Sequence, residues 1–208
     1  MYNASYVISK LGTTYSTHQL DFEVIMVSLE TPICDFGIKA IDFTLPGIDN
    51  RNWSLQECMG ENGLLIMFIC NHCPYVKAVQ DRIVRDALEL KQFGIESVAI
   101  MSNDPTDYPD DSFDNMKLFA QRMNFSFPYL FDESQAIAKQ FGAVCTPDFF
   151  GYNANYELQY RGRLDASRKE TAPVDTRRDL FEAMKLIAQT GQGPQDQIPS
   201  MGCSIKWK

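Results

Sequence analysis

Two thiols stand three residues apart at Cys70 and Cys73, with Asn71 and His72 between them. A thiolate attacks a disulfide, and a second thiol one helical turn away can close a disulfide and expel the partner. Such a nucleophile needs a lowered pKa, which the unpaired N–H groups and partial positive charge of a helix N-terminus supply. Pro74 suits that first turn, where an N–H would have no intrahelical partner. Cys70, just before the helix, is expected to be the exposed nucleophile and Cys73 the resolving thiol. A protonated His72 would stabilise the thiolate and make the pair more oxidising; a His72 that only points into solvent is the alternative.

A Cys-x-x-Cys pair is also half of a zinc site, but structural zinc takes four ligands, normally from two such halves. His18, Cys34, Cys58, Cys145 and Cys203 are scattered singly, so neither metal nor cofactor is expected. Six cysteines in 208 residues are too sparse for a disulfide-held secreted scaffold, and a cytoplasmic setting is expected. The apolar stretch at 20–29 is interrupted by Asp21 and Glu23 and preceded only by Lys10. It does not read as a secretory signal, and Met26 is an alternative start. A net charge of −8 argues against nucleic acid or an anionic membrane as partner. No stretch has the length of a membrane span.

The elements that must hold the pair are legible on either side of it. Residues 64–69 are a continuous apolar run after Gly63, which suits a strand buried on both faces. Val76, Val79, Ile83, Ala87 and Leu90 then recur at intervals of three and four, with Arg82, Arg85, Asp86 and Glu89 off that stripe. This predicts one amphipathic helix ending at Phe93-Gly94. Residues 95–101 read as the next strand, giving a right-handed βαβ unit. The pair falls where the central strand meets its helix, at the strand ends where sites of open α/β sheets gather. Residues 103–114 are acidic with Pro105 and Pro109, and read as a surface loop whose charges are solvated rather than cation-binding.

Further along, 113–123 predicts a helix, 127–131 a short strand, and 134–141 a helix capped by Ser134 and closed by Gly142. Residues 149–152 and 157–161 predict a hairpin, and 176–190 a last amphipathic helix ending at Gly191. Residues 41–48 alternate like a short strand. The expected domain is 32–191, with an N-terminal extension over 1–31, open to disorder, and a Pro/Gln-rich tail over 192–208.

Four blocks carry a resemblance. They are Phe-Ile-Cys-Asn-His-Cys-Pro-Tyr-Val at 68–76, Ala-Val-Cys-Thr-Pro-Asp-Phe-Phe at 143–150, Tyr-Arg-Gly-Arg-Leu-Asp at 160–165 and Gly-Cys-Ser-Ile-Lys-Trp-Lys at 202–208. Together they resemble the thioredoxin superfamily, and more closely its peroxiredoxin-like AhpC/TSA (redoxin) branch. The resemblance implies an α/β thioredoxin fold, βαβ–ββα with a helical insertion, built as a three-layer αβα sandwich. It implies that Thr146-Pro147 is a cis-proline turn facing the pair, with the Thr146 backbone pairing an extended substrate strand. Without it, Pro147 would read as an ordinary trans residue starting a strand.

Neither parent template transfers whole. The position where thioredoxins carry a buried Asp is Leu64. The peroxidase Thr and Pro positions, counted back from Cys73, are Cys70 and Ile66. Cys145 and Cys203 are accessory redox candidates, with a buried small residue and an unreactive exposed thiol as the plain readings. Arg161 and Arg163 are candidates to stabilise a thiolate or orient a peroxide.

Three functions follow: a thiol–disulfide oxidoreductase acting on protein or small-molecule disulfides, an antioxidant peroxidase with Cys73 attacking peroxides, or a non-enzymatic or zinc-holding module. The first is preferred because both cysteines are present and the peroxidase Thr and Pro are not.

Overall fold

The apolar run after Gly63 becomes the central strand of a five-stranded sheet. A computed structural model describes residues 28–208; residues 1–27, with Lys10, His18, Met26 and most of the 20–29 stretch, lie outside it. In chain order the described elements are β1 (Ser28–Glu30), β2 (Thr44–Pro46), β3 (Asn52–Ser54), α1 (Leu55–Cys58), β4 (Gly63–Phe68), α2 (Pro74–Lys77), α3 (Gln80–Leu90), β5 (Ile95–Met101), α4 (Phe113–Met123), β6 (Tyr129–Phe131), α5 (Ala136–Phe141), β7 (Cys145–Thr146), β8 (Asp148–Asn153), β9 (Leu158–Tyr160), α6 (Asp179–Thr190) and β10 (Met201–Ser204).

The main sheet has the order β6-β5-β4-β8-β9. Strand β4 runs parallel to β5 and antiparallel to β8, and every residue of β4 is buried. Alternation sends Leu65 and Met67 into one core with side chains of α3, α4 and α6. It sends Leu64, Ile66 and Phe68 into a second core with Phe43, Leu55, Ala138 and Phe141. Each such side chain contributes roughly 1.5–3 kcal/mol by burial, so both faces of β4 anchor the strand that delivers the cysteines. The result is the thioredoxin-fold βαβ–ββα order in three layers, with α4, β6 and α5 inserted between the halves.

Three expectations are corrected. The helix after the cysteines is two pieces, because Val79 leaves helical geometry (φ −123°, ψ 0°) and its amide bonds the Val76 carbonyl in a tighter turn. The apolar stripe hides this break, since Val76, Val79, Ile83, Ala87 and Leu90 are all buried on either side of it. Ser134 is not the residue at the N-cap of α5, although its hydroxyl accepts from the Ala136 amide at 3.2 Å. Gln135 precedes that helix in the left-handed region (φ 62°), with its side-chain amide tied to the Ser102 and Lys206 carbonyls. The Asp132 carboxylate accepts from the Ala138 amide at 2.9 Å.

The C-terminal residues are the third correction. Strand β10 lies between β1 and β7, with Cys203 opposite Thr146 on one side and Ser28 on the other. The tail belongs to the domain because Cys203 and Ile205 are buried apolar groups. Residues 28–30 are likewise a strand rather than a detached extension. Among the described residues, no helix is long and apolar enough to cross a membrane.

Candidate active site

Strand β4 ends at Phe68 and α2 begins at Pro74, so the chain turns over the cysteine pair between a rigid strand and a helix start. Cys73 is the N-cap of α2, with Pro74 in its first turn. Neither cysteine is exposed: both stand at 0%. This corrects the expectation of an exposed Cys70. The Cys70 sulfur lies 3.2 Å from Thr146 Oγ1 and 3.8 Å from His72 Nδ1. The Cys73 sulfur lies 3.1 Å from the Thr146 carbonyl oxygen and 3.0 Å from the Cys203 sulfur. Thr146-Pro147 is a cis peptide, and both contacts from the pair land on Thr146.

A buried carboxylate organises the turn from the other side. Asp111 Oδ1 accepts from the amides of Asn71 (2.8 Å) and His72 (3.2 Å). Its Oδ2 lies 2.7 Å from His72 Nδ1 and accepts from Asn103 Nδ2 at 2.8 Å. A carboxylate only accepts, so the His72 proton sits on Nδ1. His72 therefore does not point freely into solvent; its ring stacks on Tyr108, 4.7 Å between centroids. Asn71 is held by the Asp110 carbonyl (2.7 Å) and by Tyr129 OH, which donates to Asn71 Oδ1 at 3.1 Å.

The thiols divide their protons unequally. Burial pushes Cys70 well up, helped by its thiol partner Cys73 and the Asp111 charge, while Thr146 Oγ1 pulls weakly the other way. Burial acts to raise Cys73 too, but is outweighed by hydrogen bonds from the Cys203 and Cys70 thiols and by the amides of Cys203 and Val76, so this thiol is drawn down. No side-chain capping hydrogen bond closes on Cys73, so the Val76 amide acts as an oriented dipole. Cys203 is pushed up, first by its hydrogen bond to Cys73 and then by burial. As a thiol, Cys73 donates to the Thr146 carbonyl. As a thiolate, it accepts hydrogen bonds from its two sulfur neighbours, which keep their protons. These influences make Cys73 the most acidic thiol of the cluster.

Other sequence candidates fall outside this cluster. Cys145 is buried and pushed up, chiefly by burial. Along β7 it alternates with Thr146, whose hydroxyl faces Cys70, so the Cys145 side chain points to the opposite face. Arg161 pairs with Asp148 at 2.9 Å and donates to the Gly142 carbonyl at 2.7 Å. Arg163 pairs with Asp179 at 2.7 Å. Both guanidinium groups are thus committed to carboxylates. Cys70, His72 and Asp111 each offer one atom within 4.8 Å of the others. Structural zinc takes four ligands, and both Asp111 oxygens already accept from nitrogen donors, so the trio fits a hydrogen-bonded cluster better than a metal site.

Asp111 is not one of the solvated charges that the sequence predicts for this loop: it is 0% exposed. Nothing in its type separates it from Asp110 or Asp114. The available signal is Ser112, whose hydroxyl caps α4 by accepting from the Asn115 amide, which fixes the preceding residue at the mouth of that helix. Asp111→Asn should destabilise the fold by about 1–3 kcal/mol, because an Asn keeps one accepting oxygen and sets an NH2 donor where the second Asp111 oxygen accepts, so buried donors are left facing a donor. Chemical denaturation monitored by Trp and Tyr fluorescence measures it; a change below 0.5 kcal/mol, on the order of an ordinary surface substitution, would show the carboxylate is dispensable.

Known proteins resemble the chain to different extents. A crystal structure of a conserved protein from Geobacillus kaustophilus is 40% identical and superposes with a TM-score of 0.83, covering 88% of this chain and 97% of that one. A hypothetical protein from Sinorhizobium meliloti is 34% identical with a TM-score of 0.81, covering 86% and 97%. The thiol-disulfide oxidoreductase ResA of Halalkalibacterium halodurans is 23% identical over 122 residues, which is 59% of this chain; the match spans 65% of the length of that curated relative. The model of the AhpC/TSA family matches residues 36–167, from ahead of β2 to beyond β9 and across the whole cysteine turn, and on that match the chain belongs to the AhpC/TSA family.

Proposed function

We propose that the protein is a thiol–disulfide oxidoreductase in which Cys73 attacks and Cys70 resolves. The observation that carries this is the placing of both sulfurs against Thr146, 3.2 Å from its hydroxyl and 3.1 Å from its carbonyl. Two thiols that share one face of one turn can join in a disulfide while the turn stays in place. The Cys73 thiolate attacks a substrate disulfide, forms a mixed disulfide and releases one substrate thiolate. The Cys70 sulfur then attacks Cys73, its proton passes to the second departing sulfur, and Cys70 and Cys73 are left joined. The substrate gains two electrons and the pair loses two.

The resemblance to ResA by sequence supports the same chemistry. Substrates are disulfides of proteins or small molecules. A cytoplasmic setting suits the other cysteines: Cys34 is raised to about 11 and Cys58 to about 12, each mainly by burial, which keeps them as inert thiols. The peroxidase reading gains no observation of its own, because Arg161 and Arg163 are engaged by Asp148 and Asp179.

The test is to equilibrate the reduced chain in dithiothreitol redox buffers and, separately, to expose it to hydrogen peroxide. Cys70 and Cys73 should lose alkylation together at one midpoint, while peroxide oxidises them no faster than free cysteine. A peroxide reaction far above that of free cysteine, without a reversible Cys70/Cys73 disulfide, would transfer the protein to the peroxidases.

A further inference from the structure

The edge of Thr146 that a substrate strand would use is already taken, by the chain itself. Strand β10 pairs antiparallel with β7, Cys203 opposite Thr146 and Ser204 opposite Cys145. The seat is tightly fitted. A Cβ added at Gly202 would come 2.1 Å from the Thr146 carbonyl oxygen, so only glycine lets the tail lie this close to the turn. Ser200 Oγ donates to the Pro147 carbonyl at 2.8 Å, and the Ile205 amide to the Val144 carbonyl at 3.2 Å. Lys206 closes the far end, its amide donating to Asn103 Oδ1 at 2.9 Å. Asn103 in turn holds Asp111, so tail and active-site turn share one hydrogen-bonded frame.

This seating delivers a third sulfur. Cys203 Sγ is 3.0 Å from Cys73 Sγ, about 1 Å longer than a disulfide bond. We propose that the C-terminal strand is a built-in stand-in for the substrate strand, and that Cys203 closes a disulfide onto Cys73. The proposal rests on the disulfide-exchange reading above. With a small disulfide as oxidant, the Cys73 thiolate attacks it and releases one thiolate. Cys203 then attacks the Cys73 sulfur, gives its proton to the second departing thiolate, and leaves Cys73 and Cys203 joined. Cys70 can take over by attacking Cys73, which returns Cys203 to a thiol and leaves the Cys70/Cys73 disulfide. A protein substrate must displace β10 to pair with Thr146, whereas a small disulfide needs only a transient lift of the tail.

The experiment uses the full chain carrying Cys70→Ser, reduced and then treated with oxidised glutathione, acid-quenched, alkylated and mapped by peptide mass spectrometry. The expected result is loss of both the Cys73 and Cys203 thiols, a Cys73-to-Cys203 linked peptide and at least ten-fold less glutathione on Cys73 than in the Cys70→Ser/Cys203→Ser double variant. A stable glutathione adduct on Cys73 with Cys203 still alkylated would overturn the proposal while leaving the exchange reading intact. If Cys73 takes up no glutathione in the double variant and the wild-type chain forms no Cys70/Cys73 disulfide, the exchange reading itself fails, and the proposal with it.

Discussion

Cys73→Ser should abolish disulfide exchange, with a loss of about a thousand-fold or more, because it removes the attacking atom rather than an aid to it. Cys70→Ser should keep the first step. The two variants separate because burial, the Cys73 thiol and the Asp111 charge hold the Cys70 proton on, while Cys73 is drawn down against burial by its thiol and amide donors. The pH dependence follows with its sign. An ordinary thiol, with a pKa of about 8.5, loses about ten-fold in thiolate for each pH unit below that value. A thiolate whose folded-state pKa is depressed persists above that lower value and is lost only as pH falls through it. Iodoacetamide alkylation of Cys73, followed in the Cys70→Ser chain, should therefore stay nearly flat between pH 8 and pH 5. A ten-fold fall per unit over that range would show that Cys73 is an ordinary thiol and would overturn its assignment as the attacker.

The proposed exchange of roles between the two cysteines marks where sequence reasoning runs out. Strand β4 was legible because six consecutive apolar or small residues have few other places to go, and its burial on both faces follows from composition alone. The pair's position at the strand end was legible for the same reason. Which sulfur carries the charge was not, because that depends on Asp111, Cys203 and Thr146, which lie 38, 130 and 73 residues from Cys73 in the chain. The Thr146-Pro147 turn became readable only through the family resemblance. The tail looked detachable since its Pro and Gln residues resemble a linker. Its place in the fold is set by two small facts that composition does not display: Gly202 permits close approach to Thr146, and Cys203 is apolar enough to be buried beside Cys73.

Arg161→Met should destabilise the fold by about 3–5 kcal/mol at pH 7, since it leaves a buried carboxylate without its counter-charge. Arg161 is 8% exposed and Asp148 0%. The pair closes through Nη2 to Oδ2 at 2.9 Å, with the guanidinium 4.4 Å from the Phe150 ring centroid. Burial pushes the Asp148 carboxyl up to about 6 even with Arg161 pulling the other way. A folded-state pKa above the unfolded value near 3.9 means that the folded chain holds a proton between roughly pH 4 and 6 that the unfolded chain has released. The group's contribution to stability is then full below pH 4 and is lost as pH rises through 6. Removing Arg161 raises that pKa further, so the cost of Arg161→Met should shrink as pH falls from 7 to 5, where a neutral carboxyl needs no partner. Adding Asp148→Asn should recover most of the loss at pH 7. Urea denaturation of the three proteins at pH 5 and pH 7 reads both effects; a pH-independent cost would locate the damage in lost packing against Phe150 instead. Asp148 pairs in register with Phe68 and directly follows Pro147, so this ion pair fixes the strand start that carries the turn beneath the thiols. Because the arginine acts on the frame and not on the sulfur, the pH profile of Cys73 alkylation should hold its position in Arg161→Met, and a displaced midpoint would return Arg161 to the chemistry of the site.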